Sequence, residues 1–215
     1  LAVSNNAFEG CTSLESVNVE ESDMALLGNY AFLNCTKLTE ADIPGKLLIQ
    51  EGAFFECTSL KKFDFSKVFS IGKIAFYHCS SLENIVLPEN VTASGNSAFQ
   101  GCNGVTSLNI PGTVKTIGEY AFYGCENLKE LAIDEGVSSI GKHAFAECKS
   151  LETITLPKSA ALGENIFTDY RPIKTIRYTG TREEWVAAGL NQNKFYNSNV
   201  YYEYTADNKH TFVTY

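Results

Sequence analysis

Apolar and polar positions alternate along this chain in a pattern that returns every 22 to 24 residues. Each copy includes a short segment such as Thr153-Ile154-Thr155-Leu156, in which every second residue is apolar. That alternation is typical of a half-buried β-strand. In four copies a proline follows the strand directly, and proline ends a strand because it has no N–H to donate. The pattern therefore predicts about eight short strands.

A second motif, A-F-x-x-C, precedes each strand and occurs seven times. Its cysteines are Cys11, Cys35, Cys57, Cys79, Cys102, Cys125 and Cys148. Its phenylalanines are Phe8, Phe32, Phe54, Phe76, Phe99, Phe122 and Phe145. An eighth, degenerate copy has Ile166-Phe167, with Tyr170 in the cysteine column. Repetition at a fixed period of this length indicates a solenoid.

The segment between strand and motif carries an apolar residue followed by glycine, as in Ile117-Gly118. We interpret the glycine as permitting a bend, and the following G-x-x-A-F-x-x-C as a short helical or 3-10 corner. One copy cannot bury its own apolar face, but stacked copies cover one another. The sequence predicts a right-handed coil of about eight 22–24-residue repeats, with one parallel sheet on the concave face and extended segments elsewhere. Equivalent residues then form interior rows, such as Phe76, Phe99 and Phe122.

The extent of the repeats divides the chain into three predicted regions. Residues 1–179 are the predicted solenoid, and they start partway through a repeat, so we expect upstream repeats or a leader to be missing from this sequence. Residues 180–204 are the predicted C-terminal cap, with Thr181 and Glu184 forming a capping box and a strand near 200–204. Residues 205–215 fit no repeat and are interpreted as a tail or the start of a further module.

The order A-F-x-x-C-x-x-L-x-x-I-x-L-P resembles the BspA-type leucine-rich repeat family. The resemblance covers residues 1 to about 179, and Tyr178 to Trp185 is similar to the segment that closes such arrays. What it implies is a leucine-rich repeat solenoid in a secreted or cell-surface bacterial protein. Its repeats would bind host-matrix macromolecules or other bacterial surfaces, which are proteins or glycans.

Composition narrows the classes of partner. The chain has 215 residues and a formal charge of −8, which disfavours binding to nucleic acid. Its longest apolar runs are only a few residues, far below the ~20 that span a bilayer, so we expect no membrane insertion by this chain. An extracellular location, with any signal or anchor outside this sequence, is the expectation from the family resemblance.

Candidate chemistry is weak in this chain. The cysteines share one column, so we interpret each as a small buried hydrophobe and predict no disulfide and no zinc site. His78 and His143 stand in columns that vary freely between copies, and His210 lies outside the repeats. We therefore predict no catalytic residue, no metal and no cofactor, and the protein is expected not to be an enzyme.

The remaining candidate is a surface made by outward-facing strand residues. Its predicted ligand-binding residues are Ser16, Asn18, Glu40, Asp42, Lys62, Asp64, Asn84, Ser107, Asn109, Glu130, Thr153, Thr155 and Arg177, interspersed with Val86, Ala132 and Thr175. Rigid strands would present these side chains preorganised to a protein or a glycan. The leading hypothesis is a non-enzymatic adhesion module. The alternative is a structural spacer that displays another module at the cell surface, and these polar residues would then serve only solubility.

Overall fold

The computed structural model describes residues 1–19, 23–168, 173–190, 198–202 and 212–214. The chain forms a parallel-strand solenoid of about eight turns, as the repeat predicted. Each full turn contributes a strand upstream of A-F-x-x-C and, in most turns, another downstream of it. Tyr170, the degenerate member of the cysteine column, lies outside the described residues.

The upstream strands form one continuous sheet of eight parallel strands, which we call the long sheet. It consists of β1 (Ala2–Val3), β3 (Met24–Leu27), β5 (Lys46–Ile49), β7 (Val68–Ile71), β8 (Ala93–Ser94), β10 (Thr116–Ile117), β12 (Ser139–Ile140) and β14 (Ala161–Leu162). The sequence identified these segments only as extended pieces. Ser94 is the one polar residue in their apolar column, and its buried hydroxyl accepts the Gly118 N–H at 3.2 Å.

The downstream strands form the motif sheet, which has two parts. The first part is β2 (Ser16–Asn18), β4 (Glu40–Asp42) and β6 (Lys62–Phe63). The second is β9 (Ser107–Ile110), β11 (Glu130–Ile133), β13 (Thr153–Leu156), β15 (Thr175–Tyr178), β16 (Asn199–Tyr201) and β17 (Phe212–Thr214). All these pairings are parallel except that of β16 with β17, which is antiparallel.

The prediction of one uninterrupted downstream sheet was wrong, because Asn84–Val86 forms no strand. The interruption follows the copy whose two inward strand positions are both phenylalanine. In that copy Phe65 begins the short 3-10 helix η1 (Phe65–Lys67), so β6 ends at Phe63. The Phe65 ring packs 5.3 Å from that of Phe76 and 5.9 Å from that of Phe99, and this packing replaces the regular strand register.

The corners are successions of turns, so the prediction of helical or 3-10 corners was also wrong. Two residues in each full corner adopt left-handed backbone, as Tyr30 (φ 55°) and Asn34 (φ 58°) do. A left-handed residue ends a helical run, and two per corner leave no room for one. Alternate corner amides bond to the next coil, as the Phe32 N–H does to the Ala53 carbonyl at 2.8 Å. The amides between them close single turns within the corner, as the Leu33 N–H does with the Tyr30 carbonyl at 3.1 Å.

The phenylalanines of A-F-x-x-C form a continuous interior stack. From Phe8 to Phe145 the neighbouring ring centroids are 5.1 to 5.4 Å apart and the rings lie within 13° of parallel. Six of the seven rings are fully buried, while Phe8 in the first coil is 39% exposed. The predicted row of Phe76, Phe99 and Phe122 is therefore confirmed.

The cysteine column has a function in the fold that its apolar interpretation missed. From Cys35 to Cys148, each thiol donates a hydrogen bond to the phenylalanine carbonyl of the preceding coil, at 3.1 to 3.4 Å. The same carbonyl also accepts the amide of its own cysteine, as Phe76 does from Cys79 at 3.2 Å. One carbonyl thus uses both lone pairs to join two coils.

The glycine before each corner recurs because the preceding coil leaves no room for a side chain, and not because the chain must bend there. Gly118 has no left-handed φ, but a Cβ on it would lie 2.7 Å from the carbonyl of Gly95 in the preceding coil. That distance is too short for any side chain, so glycine lets the two coils approach. The interpretation of this column as bend residues is corrected accordingly.

The last described coil is followed by helix α1 (Arg182–Ala187). Thr181 accepts the Glu184 N–H at 3.2 Å, and the Glu184 carboxylate accepts the Thr181 N–H at 2.8 Å, so the predicted capping box is present. Trp185 is buried and its ring lies edge-on to that of Tyr178 at 5.2 Å. Residues 203 and 204, included in the predicted strand, lie outside the described residues.

Candidate functional site

The outward residues of the motif sheet, which we call the strand face, are aligned in rows by the parallel register. In the second part of the sheet, Ser107, Glu130, Thr153, Thr175 and Asn199 are successive partners in one row. The parallel row contains Asn109, Ala132, Thr155, Arg177 and Tyr201. Between the rows the side chains point inward, because strand residues alternate; Leu131 and Ile154 are fully or almost fully buried.

A shallow depression of about 210 Å³ lies on this second part of the strand face. Six of the predicted ligand-binding residues line it: Ser107, Asn109, Glu130, Thr153, Thr155 and Arg177. Ala132 lies between Asn109 and Thr155 in the register, and its small side chain leaves space between these two neighbours. The depression therefore has hydroxyl, amide, carboxylate and guanidinium groups around an apolar floor.

Five other predicted residues lie on the first part of the strand face: Ser16, Asn18, Glu40, Asp42 and Lys62. All five are exposed. Glu40 is flanked in the register by Ser16 and Lys62, and Asp42 pairs with Asn18. The gap at Asn84–Val86 separates this acidic group from the depression, so the structure divides the predicted surface into two patches.

Two predicted residues lie outside the strands. Asp64 follows β6, and its carboxylate caps η1 by accepting the Ser66 N–H at 2.9 Å. The hydrogen bonds from Ser66 hold the pKa of that carboxyl below its usual range. Asn84 is exposed within the gap, close in sequence to Val86, which is 68% exposed. Asp64 thus has a local structural task that the other strand-face residues do not.

Asn199 and Tyr201 belong to the strand face but were not among the predicted ligand-binding residues. β16 pairs with β15, so Tyr201 continues the row of Arg177. The signal in the sequence is the alternation around the buried Val200, which has the same period as the repeat strands. It was assigned to the cap, and its outward residues were therefore not added to the surface.

Six of the seven cysteine thiols are buried and bonded within the fold. All seven cysteines are free thiols, and Cys11 is exposed, which corrects the interpretation of every cysteine as buried. Burial raises the pKa of the Cys35 thiol to about 11 and that of Cys79 well above its usual value. A thiol with a raised pKa carries little thiolate at neutral pH and is a poor nucleophile.

The two described histidines sit in the left-handed columns of the corners. His78 (φ 55°) lies 3.3 Å from the Glu56 carboxylate, and its ring stacks on Tyr77. His143, also at φ 55°, stacks on Tyr120. His210 lies outside the described residues. Within the described ranges, no group of three or more His, Cys, Asp or Glu side chains is arranged to hold a metal ion.

The sequence profile of the BspA type leucine rich repeat region matches residues 2–106 and 94–212, with six copies. The chain belongs to the BspA-type leucine-rich repeat family. The crystal structure of the leucine-rich repeat protein of T. pallidum is 33% identical, with a TM-score of 0.59, over 70% of this chain and 71% of that one. No curated protein matches the sequence.

A second solved leucine-rich repeat protein, from Bacteroides ovatus, is similar in fold alone. It is 23% identical, with a TM-score of 0.55, and the match covers 83% of this chain and 58% of that one. Leucine-rich repeat solenoids are typically non-enzymatic scaffolds that bind proteins, and this chain has that fold. Among the described residues, no helix has the length and apolar character to cross a membrane.

Proposed function

We propose that this protein is an extracellular adhesion module that binds a macromolecule of a host matrix or of another bacterial surface on its strand face. The depression on β9, β11, β13 and β15 carries the proposal. Its side chains stand on four hydrogen-bonded strands, so little conformational entropy is lost when a partner binds. The family to which the chain belongs supports the extracellular, non-enzymatic part of the proposal.

The charges of the strand face favour a protein partner. The acidic pair Glu40 and Asp42 lies on the first part, and Glu130 and Arg177 border the depression on the second. Mixed charges separated by hydroxyl and amide groups suit the polar rim and hydrogen bonds of a protein interface. A partner that spans the gap would contact both patches and would carry basic groups opposite Glu40 and Asp42.

The test is binding of the purified protein, and of charge-reversed variants, to immobilised matrix proteins and to whole bacterial cells. One variant combines Glu40→Lys with Asp42→Lys, and a second carries Glu130→Lys. Asp64 is left intact because it caps η1. A control is Thr116→Lys, which places a lysine at an exposed position of the long sheet.

We expect each strand-face variant to weaken binding by about tenfold or more, mainly through a slower association rate at low salt. The control should bind as the unmodified protein does. Equal binding by all variants would show that the strand face does not bind the partner. If the protein binds none of these ligands, the spacer hypothesis is favoured instead.

A further inference from the structure

A second concave site lies at the corners of the solenoid and shares no lining residue with the strand face. It is an open cleft of about 410 Å³, which we call the corner cleft. The residues important to its chemistry are His78, Gln100, Gly101, Tyr123, Gly124 and Glu147. Its volume lies within the usual range for small-ligand sites.

The corner cleft exists because two successive copies lack a side chain in one column. The residue before each cysteine is left-handed, and in neighbouring copies it is His78 (φ 55°) or Glu147 (φ 58°). The two copies between them have Gly101 (φ 73°) and Gly124 (φ 67°). The His78 ring leans over Gly101, whereas nothing lies within 4 Å of the place where a Cβ on Gly124 would stand.

Polar groups without partners surround this space. Among the described residues, no hydrogen bond engages the amide of Gln100, the hydroxyl of Tyr123 or the carboxylate of Glu147. All three residues are half-buried, so their side chains are partly fixed yet reachable. The Gln100 amide both donates and accepts, the Tyr123 hydroxyl does the same, and the Glu147 carboxylate accepts.

The lysine and the histidine of the cleft already face carboxylates. Lys149 forms an ion pair with Glu126 at 2.7 Å, and His78 faces Glu56 at 3.3 Å. Glu147 adds a negative charge, so the cleft disfavours a phosphate, a sulfate or another anion. An apolar ligand fits poorly because hydroxyl and amide side chains, such as those of Thr58 and Asn103, also line the walls.

We propose that the corner cleft binds a neutral saccharide, independently of the strand face. Sugar hydroxyls would pair with the amide of Gln100 and the carboxylate of Glu147, and the C–H face of a sugar ring would lie against the ring of Tyr123. The described residues leave the amide and the carboxylate without hydrogen bonds, while the Tyr120 ring packs against the Tyr123 ring at a tilt, with 5.7 Å between centroids. A cleft of about 410 Å³ accommodates a short oligosaccharide segment rather than a folded domain.

The probes are maltotriose, N-acetylchitotriose and lacto-N-tetraose, at concentrations up to about 10 mM. Binding is detected by saturation-transfer NMR and then measured by titration. The blocking variant is Gly124→His, because His78 already occupies the same column and backbone conformation. Its matched control is Gly10→His, at φ 69° and with nothing within 4 Å of its Cβ position. Gln100→Tyr removes the amide at a position that holds Tyr77 and Tyr123 in neighbouring copies.

We expect at least one probe to bind, Gly124→His and Gln100→Tyr to weaken that binding by about tenfold or more, and Gly10→His to leave it unchanged. Glu130→Lys on the strand face should also leave sugar binding unchanged, which separates this site from the proposed protein interface. The proposal is overturned if no probe binds, if Gly124→His binds as tightly as the unmodified protein, or if a sulfated analogue binds more tightly than its neutral parent.

Discussion

Replacing Cys102 with alanine tests whether the cysteine column stabilises the fold through hydrogen bonds as well as volume. Cys102 is fully buried, and its thiol donates to the Phe76 carbonyl at 3.3 Å. Deleting an atom of this size costs about 0.8 kcal/mol of transfer free energy, to which an incompletely relaxed cavity adds. The lost hydrogen bond contributes about 0.5 kcal/mol, because a thiol is a weak donor.

The Phe76 carbonyl keeps the amide of Cys79 as a partner, so the substitution does not leave a buried acceptor unpaired. We therefore expect Cys102→Ala to lower the free energy of unfolding by about 1.5 kcal/mol. For a chain of this length, the melting temperature should fall by about 3 to 6 °C. Urea titration and a thermal melt followed by circular dichroism measure both quantities.

Two further variants separate the contributions. Cys102→Ser is smaller than cysteine but restores a donor, so it should recover part of the stability that alanine loses. Cys11→Ala removes an exposed thiol and should change stability by less than about 0.5 kcal/mol. The reasoning is refuted if serine is less stable than alanine at position 102, or if the loss at position 11 equals that at position 102.

Two other predictions concern the interior rows. Ala121 is fully buried, so Ala121→Asp should cost about 3 to 5 kcal/mol by burying an unpaired charge, and a thermal melt that did not move would contradict the assigned inward column. Burial raises the pKa of Cys35 to about 11, so its thiolate fraction at pH 8 is about 0.1% and grows only as the pH rises towards that value. Ellman's reagent should therefore label Cys11 alone in the folded protein at pH 8 and all seven thiols after unfolding; rapid labelling of a second thiol in the folded state would disagree.

The interior of the fold was predictable from the sequence because its chemistry repeats with the chain. Phe54, Phe76 and Phe99 recur at fixed spacing, and stacked coils must bring them together. The corner conformation was not predictable in the same way. Tyr30, Glu56 and Ile74 are residue types with no preference for left-handed backbone, and only the bonds between coils impose it on them.

The strand face shows a similar limit. The alternation placed Glu130 and Arg177 on outward strand positions, and the structure adds that they border one depression. The segment at Asn84–Val86 has the same alternation as its neighbours, so its own residues give no sign of the interruption. The cause lies in the preceding copy, where Phe65 packs against Phe99. These two residues are far apart in the chain, so the sequence pattern alone does not reveal the contact.

The phenylalanine stack and the thiol bonds repeat from coil to coil, and this has an evolutionary consequence. The ring spacing and the thiol bond are nearly the same at Phe54 and at Phe99, so these two contacts continue in the same way across either boundary. A tandem duplication or deletion of one regular period of the gene would therefore add or remove a layer while keeping the phenylalanine stack and the thiol bond. Recombination can thus change the length of the solenoid, while point mutations at outward positions change the side chains that its surface presents.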